Sequence, residues 1–260
     1  MTNLGTNEGD ITEVEFVTNF NLNKINFKNY LGRFSKYKNP WMIRVTTKQI
    51  SSLSGKKVFT RADCYLANII SDISKLIIKN GYYLDEDILK VNNIKFEKIP
   101  YSGISIKMKN SEDFQILKMR PDSLKNLLGS YELGAGASLY CKNECEVDKN
   151  YDLIYGWKSS IEKMIDYFNV FTENNVKFYL NKEICKKIKE YASKEIKNKI
   201  ESSKEIQKKV FNGIGLYEEP YTAFYFYRGK DIVELSMIPF YVTTGSGRSK
   251  GEYTIVLKPE

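Results

Sequence analysis

The sequence predicts a mixed α/β (α+β) fold, a central mixed β-sheet flanked by helices, and three observations carry that prediction. Residues 103–109 alternate strictly, with Ile104, Ile106 and Met108 on one face and Ser105, Lys107 and Lys109 on the other, the period-two signature of a strand. A polar turn, a second strand over 114–119 and a short helix over 121–128 closed by Gly129 follow directly. Residues 157–210 then read as helix-rich, and the chain returns to β from Tyr221 onward. With 260 residues and 42% hydrophobic content the chain buries a real core, so one domain over 1–260 is expected, with the helical segment at about 157–210 and a C-terminal β segment at about 221–258.

Along the chain, Ile11, Val14, Val17 and Phe20 recur every three residues and predict a helix over 11–20, with Glu13 and Glu15 off the apolar stripe. Trp41-Met42-Ile43-Arg44-Val45 after Pro40 predicts a short strand, and residues 57–67, entered from the turn at Ser54-Gly55, predict another. Residues 69–100 mix short apolar pieces with the acidic cluster Asp85-Glu86-Asp87, which suits the start of a helix because carboxylates favour its positive end. Residues 181–209 carry ten lysines and five glutamates around Ile184, Ile188, Tyr191, Ile196, Ile200 and Ile206, the pattern of an amphipathic helix or helix pair with a solvated face. Residues 221–227, 232–238 and 253–257 predict strands, the last two joined through a Gly/Ser/Thr loop at 243–251.

Composition narrows the chemistry. There is no histidine, which removes Ser-His-Asp and Cys-His nucleophile systems, His-ligated zinc enzymes and H-E-x-x-H proteases. Lys+Arg 40 against Asp+Glu 32 leaves a net charge of +8, which favours a polyanionic partner. The four cysteines, of which only Cys141 and Cys145 are close, demand neither a zinc site nor disulfides. With neither a signal-like start nor an apolar run of membrane length, a soluble cytoplasmic protein without a membrane partner is expected. The absence of a G-x-x-x-x-G-K-[ST] loop argues against a nucleotide cofactor.

The feature of greatest weight is Asp63 at one strand end and Ser105-Ile106-Lys107 on a later strand. Oxygen ligands suit a hard cation such as Mg²⁺, and a lysine beside it stabilises charge developing on a phosphate. These residues resemble the PD-(D/E)XK nuclease superfamily, and specifically a type II restriction endonuclease. Thr60-Arg61-Ala62-Asp63 matches the "PD" strand, Ser105-Ile106-Lys107 the "(D/E)XK" strand, and Gly9-Asp10-Ile11-Thr12-Glu13 the start of a first helix that supplies a glutamate in many members. The resemblance spans residues 9–20 and 57–140 and implies a restriction-endonuclease-like fold, Mg²⁺ as cofactor, and a homodimer cutting double-stranded DNA at a short palindromic site. Residue by residue it implies Asp63, the Ile106 carbonyl and Glu13 at the metal, and Asp63, Ser105, Lys107 and Glu13 as the catalytic set. Ala62 replaces the proline, and Ser105 replaces the second carboxylate, so another acid must approach: Glu13 first, Glu15 or Glu132 in reserve.

Arg61 and Lys109 beside the two half-motifs, and Ser246, Arg248 and Lys250 in the glycine-rich loop, are the expected DNA contacts. That loop also serves as an ordinary flexible hairpin connection. Its Gly247-x-Ser249-x-Gly251 string matches a hydrolase elbow, yet no histidine exists to activate the serine. Tyr131–Tyr140, rich in Gly and Ala, suits tight packing of a helix or turn on the catalytic sheet. The competing reading is a non-catalytic DNA- or RNA-binding module in which Phe224-Tyr225-Phe226-Tyr227 offers stacking platforms. A structural protein of a phage or mobile element, with incidental basicity, is the third reading.

Overall fold

A computed structural model describes residues 8–46, 48, 60–107, 114–245, 247–248 and 251–260. The chain is mixed α and β, with helices flanking a mixed sheet, as expected. The expected single domain divides more finely: residues 1–111 with 211–236 form one compact unit, and residues 112–210 with 237–260 form a second. Sequence periodicity reports which face of an element is apolar, and carries no information about which distant elements share a core.

Unit 1 is built on the strands β1 (Pro40–Arg44), β2 (Cys64–Asn68), β3 (Glu97–Lys98), β4 (Ile104–Ile106), β6 (Tyr225–Tyr227) and β7 (Ile232–Glu234). The spatial order is β1-β2-β4-β6-β7, with β3 pairing β2; all neighbours are antiparallel except β4 and β6, which run parallel. β4 is buried along its whole length, including Ser105, so both faces of the sheet are covered at its centre. The alternation predicted a polar outer face there; Met108 and Lys109 lie outside the described residues.

The first helix, α1 (Glu8–Leu22), packs on β1. Its buried face is Phe16, Val17, Phe20 and Asn21, while Ile11 is exposed and Val14 half-buried. The inward stripe is therefore rotated from the expected one, and its three- and four-residue spacing extends back to Glu13 rather than Ile11. Asn21 fixes this rotation. Its amide donates to the Met42 carbonyl (2.9 Å) and the Tyr82 carbonyl (3.1 Å), and its oxygen accepts from Met42 N–H (2.9 Å), satisfying the free edge of β1 as a further strand would. Phe16 closes the other side against Tyr227, ring centroids 4.3 Å apart.

The acidic cluster behaves as its composition predicted: Asp85 caps the helix Glu86–Val91 by accepting from Ile88 N–H at 2.8 Å. The aromatic strand joins the core through Tyr225. Tyr225 packs edge-on against Tyr30 (4.9 Å) and Phe34 (6.2 Å). Gly103, just before β4, admits the segment carrying Thr222, because a Cβ there would lie 1.9 Å from the Thr222 carbonyl oxygen.

Unit 2 holds the strands β5 (Leu117–Met119), β8 (Phe240–Thr244) and β9 (Ile255–Pro259) in the order β5-β9-β8, with a set of helices. The expected pairing of 232–238 with 253–257 is thereby corrected: β7 belongs to unit 1, and β9 takes as its hairpin partner β8, whose residues carry no strand prediction. The small-residue helix Tyr131–Ser138 lies in unit 2 and is buried from Leu133 to Ser138. Trp157 fills the space beside Gly134, Phe168 and Ala192 that beside Gly136, and the helix Lys182–Ser202 buries Cys185, Ile188, Ala192, Ile196 and Ile200.

Candidate active site

Asp63 sits where the β2 ladder begins. Its backbone is held on two sides, N–H donating to the Ile104 carbonyl (2.9 Å) and C=O accepting from Val45 N–H (3.0 Å). Arg61 and Ala62 N–H both donate to the Tyr221 carbonyl, at 2.7 and 2.9 Å, so the approach to Asp63 is clamped by the segment that Gly103 admits. The side chain turns to β4: Oδ2 accepts the Ile106 N–H at 2.6 Å and the Ser105 hydroxyl at 3.4 Å. A charged acceptor in place of a strand neighbour satisfies the Ile106 amide and fixes the carboxylate in one orientation.

On β4, Gly103 O accepts from Tyr225 N–H and Lys107 N–H donates to Tyr227 O, so odd-numbered residues face β6 and even-numbered ones face β2. The Ile106 carbonyl thus lies on the Asp63 side of the strand, beyond the Cys64–Ile104 pair. Asp63, Ser105 and Ile106 come together as the spacing of the half-motifs required. Lys107 follows at the end of the strand, half-buried, and has no ion-pair partner among the described residues.

Glu13 arrives from α1. Its carboxylate accepts from Arg44 Nε at 2.9 Å and lies 2.8 Å from Nη2; the same Nη2 also pairs with Asp10. Arg44, at the end of β1, keeps only 6% of its side chain exposed and is the member of this cluster that sequence reading missed. The available signal was a lone charge inside the apolar run Trp41–Val45. Burial pushes the Glu13 carboxyl up to about 7, the Asp63 charge pushes the same way, Arg44 opposes both, and Asp10 adds to the rise. Two carboxylates, Glu13 and Asp10, thus share one buried guanidinium, and the Asp63 charge reaches Glu13. Glu15 is exposed on α1, and the Glu132 carboxylate in unit 2 is taken by the Ser130 and Ser159 hydroxyls at 2.7 and 2.9 Å.

The expected DNA contacts fare less well. Arg61 turns into unit 1, where Nε donates to the Phe211 carbonyl at 3.0 Å and burial lowers its pKa. Arg248 lies in unit 2, stacked over Tyr140 at 3.8 Å and donating to the Ser138 carbonyl at 2.8 Å, a brace for the loop rather than a projecting contact. Lys109, Ser246 and Lys250 lie outside the described residues. In the aromatic strand Tyr225 is buried against Tyr30 and Tyr227 packs on Phe16, while Phe224, Phe226 and Tyr227 keep part of their surface exposed.

Among the described residues, no group of three or more His, Cys, Asp or Glu side chains gathers as a metal site. The donors present at Asp63 are oxygens: two carboxylates, Asp63 and Glu13, the Ile106 carbonyl and the Ser105 hydroxyl. This set fits Mg²⁺ in kind, since that ion takes oxygen ligands, often one or two carboxylates, and keeps several waters. Among the described residues no helix is long and apolar enough to cross a membrane. No family model, no curated protein and no solved structure matches this chain.

Proposed function

We propose that the protein is a Mg²⁺-dependent endonuclease that hydrolyses phosphodiester bonds of double-stranded DNA at a short sequence, with a restriction-endonuclease-like unit 1. The observation that carries the reading is the Asp63 carboxylate locked to Ile106 N–H at 2.6 Å, which joins the two half-motifs on neighbouring central strands, with Glu13 close enough to feel the Asp63 charge. A metal held by Asp63, the Ile106 carbonyl and Glu13 would polarise the phosphate and acidify a water.

The chain's own groups do the rest. Asp63 is oriented before substrate arrives, so no reorganisation is needed at the reacting phosphate. Ser105 adds a hydroxyl on the same side. Lys107 brings a positive charge without a carboxylate partner among the described residues, available to the phosphate oxygens as charge builds there. Water oxygen bonds to phosphorus, the bond to the leaving sugar oxygen breaks, and the water proton passes to solvent or to that oxygen. A palindromic target would present two such bonds to a two-fold homodimer.

The test is incubation of unmethylated plasmid with the protein in Mg²⁺ and in EDTA, for wild type, Asp63→Ala and Lys107→Ala. Discrete Mg²⁺-dependent fragments that fall by at least about a hundredfold in rate in each variant are expected. Intact plasmid from folded wild-type protein, or fragments that survive both substitutions, overturns the assignment.

A further inference from the structure

Unit 2 carries a cavity of about 780 Å³ along the helix Lys182–Ser202, which the chemistry of unit 1 does not use. Lys142, Lys182, Lys186 and Lys189 line it, together with Cys141 and Ser193, against the carboxylates Glu183 and Glu190. Positions 182, 186, 189 and 193 follow the four- and three-residue steps that put side chains on one helical face, so the cations form a row rather than a scatter. Lys182 to Lys189 covers about 10 Å of helix axis, about three base-pair rises along the axis of duplex DNA.

The lining is net positive, with four lysines against two glutamates. Lys189 is half-buried, and its ammonium pKa is lowered by burial and by the positive charges of Arg248 and Lys142, with Cys141 and Glu146 acting in the other direction. The neighbouring hollow, lined by Glu144, Asp148 and Glu183 as well as Lys182, has the opposite sign and marks where the positive row ends. An arrangement that gathers like charges around a partly desolvated lysine is destabilising by itself and is relieved by an anion.

We infer that this lysine-lined cavity in unit 2 is a binding groove for the sugar–phosphate backbone of DNA, holding consecutive phosphates along the Lys182-Lys186-Lys189 row with Lys142 on the facing wall. Its ligand follows the nuclease reading, but its chemistry is independent of cutting. Contacts to phosphate position a duplex without reading its sequence. The groove therefore supplies general affinity to a protein whose predicted base contacts Arg61 and Arg248 are engaged within their own units.

The test measures binding of the full chain to a labelled duplex of about 30 base pairs in EDTA, from ~50 to ~300 mM salt, alongside Mg²⁺-dependent cutting. Replacing Lys142, Lys186 and Lys189 by Gln should weaken binding about tenfold or more at ~0.1 M salt and lower the slope of log K against log salt by about 2.7, at about 0.9 for each phosphate no longer neutralised. Lys163→Gln with Lys204→Gln, two exposed lysines elsewhere in unit 2, should change neither. Should the triple variant fail to fold, Lys142→Gln with Lys186→Gln, both exposed, carries the test with a slope change of about 1.8.

An unchanged slope overturns the groove, even if wild type cuts DNA. A reduced slope in the variant with no cutting by wild type leaves the groove standing and removes the nuclease. Displacement of the duplex by inorganic phosphate at matched ionic strength would show a site for single anions and also overturns the inference.

Discussion

Unit 1 contains two acidic clusters, one buried around Glu86 and one half-buried around Arg44, and they are built on opposite principles. Glu86 is 3% exposed, and its Oε1 accepts from the Tyr65 hydroxyl (2.8 Å) and the Tyr221 hydroxyl (2.9 Å) and lies 3.0 Å from Lys98 Nζ. Around it, donors outnumber acceptors, and burial together with the Glu86 charge pushes both tyrosine pKa values up. Around Arg44 the balance is reversed, since Asp10 and Glu13 present two carboxylates to one guanidinium and Glu13 also feels the Asp63 charge. A buried acid whose every neighbour is a donor holds structure together, whereas surplus negative charge held in a partly buried site is poised for a cation or a proton.

Disrupting each cluster should therefore give different results. Arg44→Met strands Glu13 and Asp10 and is expected to destabilise by about 3–5 kcal/mol, read by urea unfolding, with much of that loss recovered by adding Glu13→Gln. Glu86→Leu leaves two hydroxyls and an ammonium without their acceptor and should lose about 1–3 kcal/mol. It should leave cutting by the folded fraction intact, which Asp63→Ala does not; equal losses of activity would erase the distinction between the clusters.

A smaller effect separates the clusters by pH. The folded Glu13 carboxyl sits near 7, above its usual value of 4.5, so it binds its proton more tightly when folded. Its contribution to stability is full below about pH 4.5 and is lost as pH rises through about 7. Glu13→Gln should match wild type near pH 5 and exceed it by about 1–2 kcal/mol near pH 8. Cleavage by wild type should rise through pH 7 as the carboxylate forms, and that rise should move to lower pH in variants that remove Asp10, whose charge raises the Glu13 pKa. The smallest change is Tyr221→Phe, about 1 kcal/mol from the hydroxyl that donates to Glu86 and accepts from Lys98, with an unaltered pH profile.

Local features were legible in the sequence where a local rule governs them. The Asp85 cap, the Gly129 stop with φ 86° and β1 follow from spacing and composition alone, and so do Ile188, Ile196 and Ile200 on the inward face of the helix Lys182–Ser202, where Tyr191 instead turns out and Cys185 and Ala192 turn in. Asp63 with Ser105 and Ile106 was legible because the two half-motifs fall on adjacent strands. The stripe of α1 was misplaced because Asn21, a polar residue, is one of its buried members, and only the free edge of β1 explains that burial. Arg44 was hidden for the same reason: its partners lie 31 and 34 positions away on another element. The division into units eluded any local rule, since β6 joins β4 and β9 joins β5 across long stretches of chain.

That last pairing pattern sets the order in which a ribosome can complete the molecule. β4 emerges with one edge bare, and its parallel neighbour β6 follows more than a hundred residues later, a wait of about 5–20 s at typical rates of synthesis. β5 waits longer still, because β9, the central strand of its sheet, is the last to emerge. Nascent chains would thus display two unpaired strand edges at once, the hazard that makes such proteins sensitive to expression temperature and to chaperones that shield growing chains.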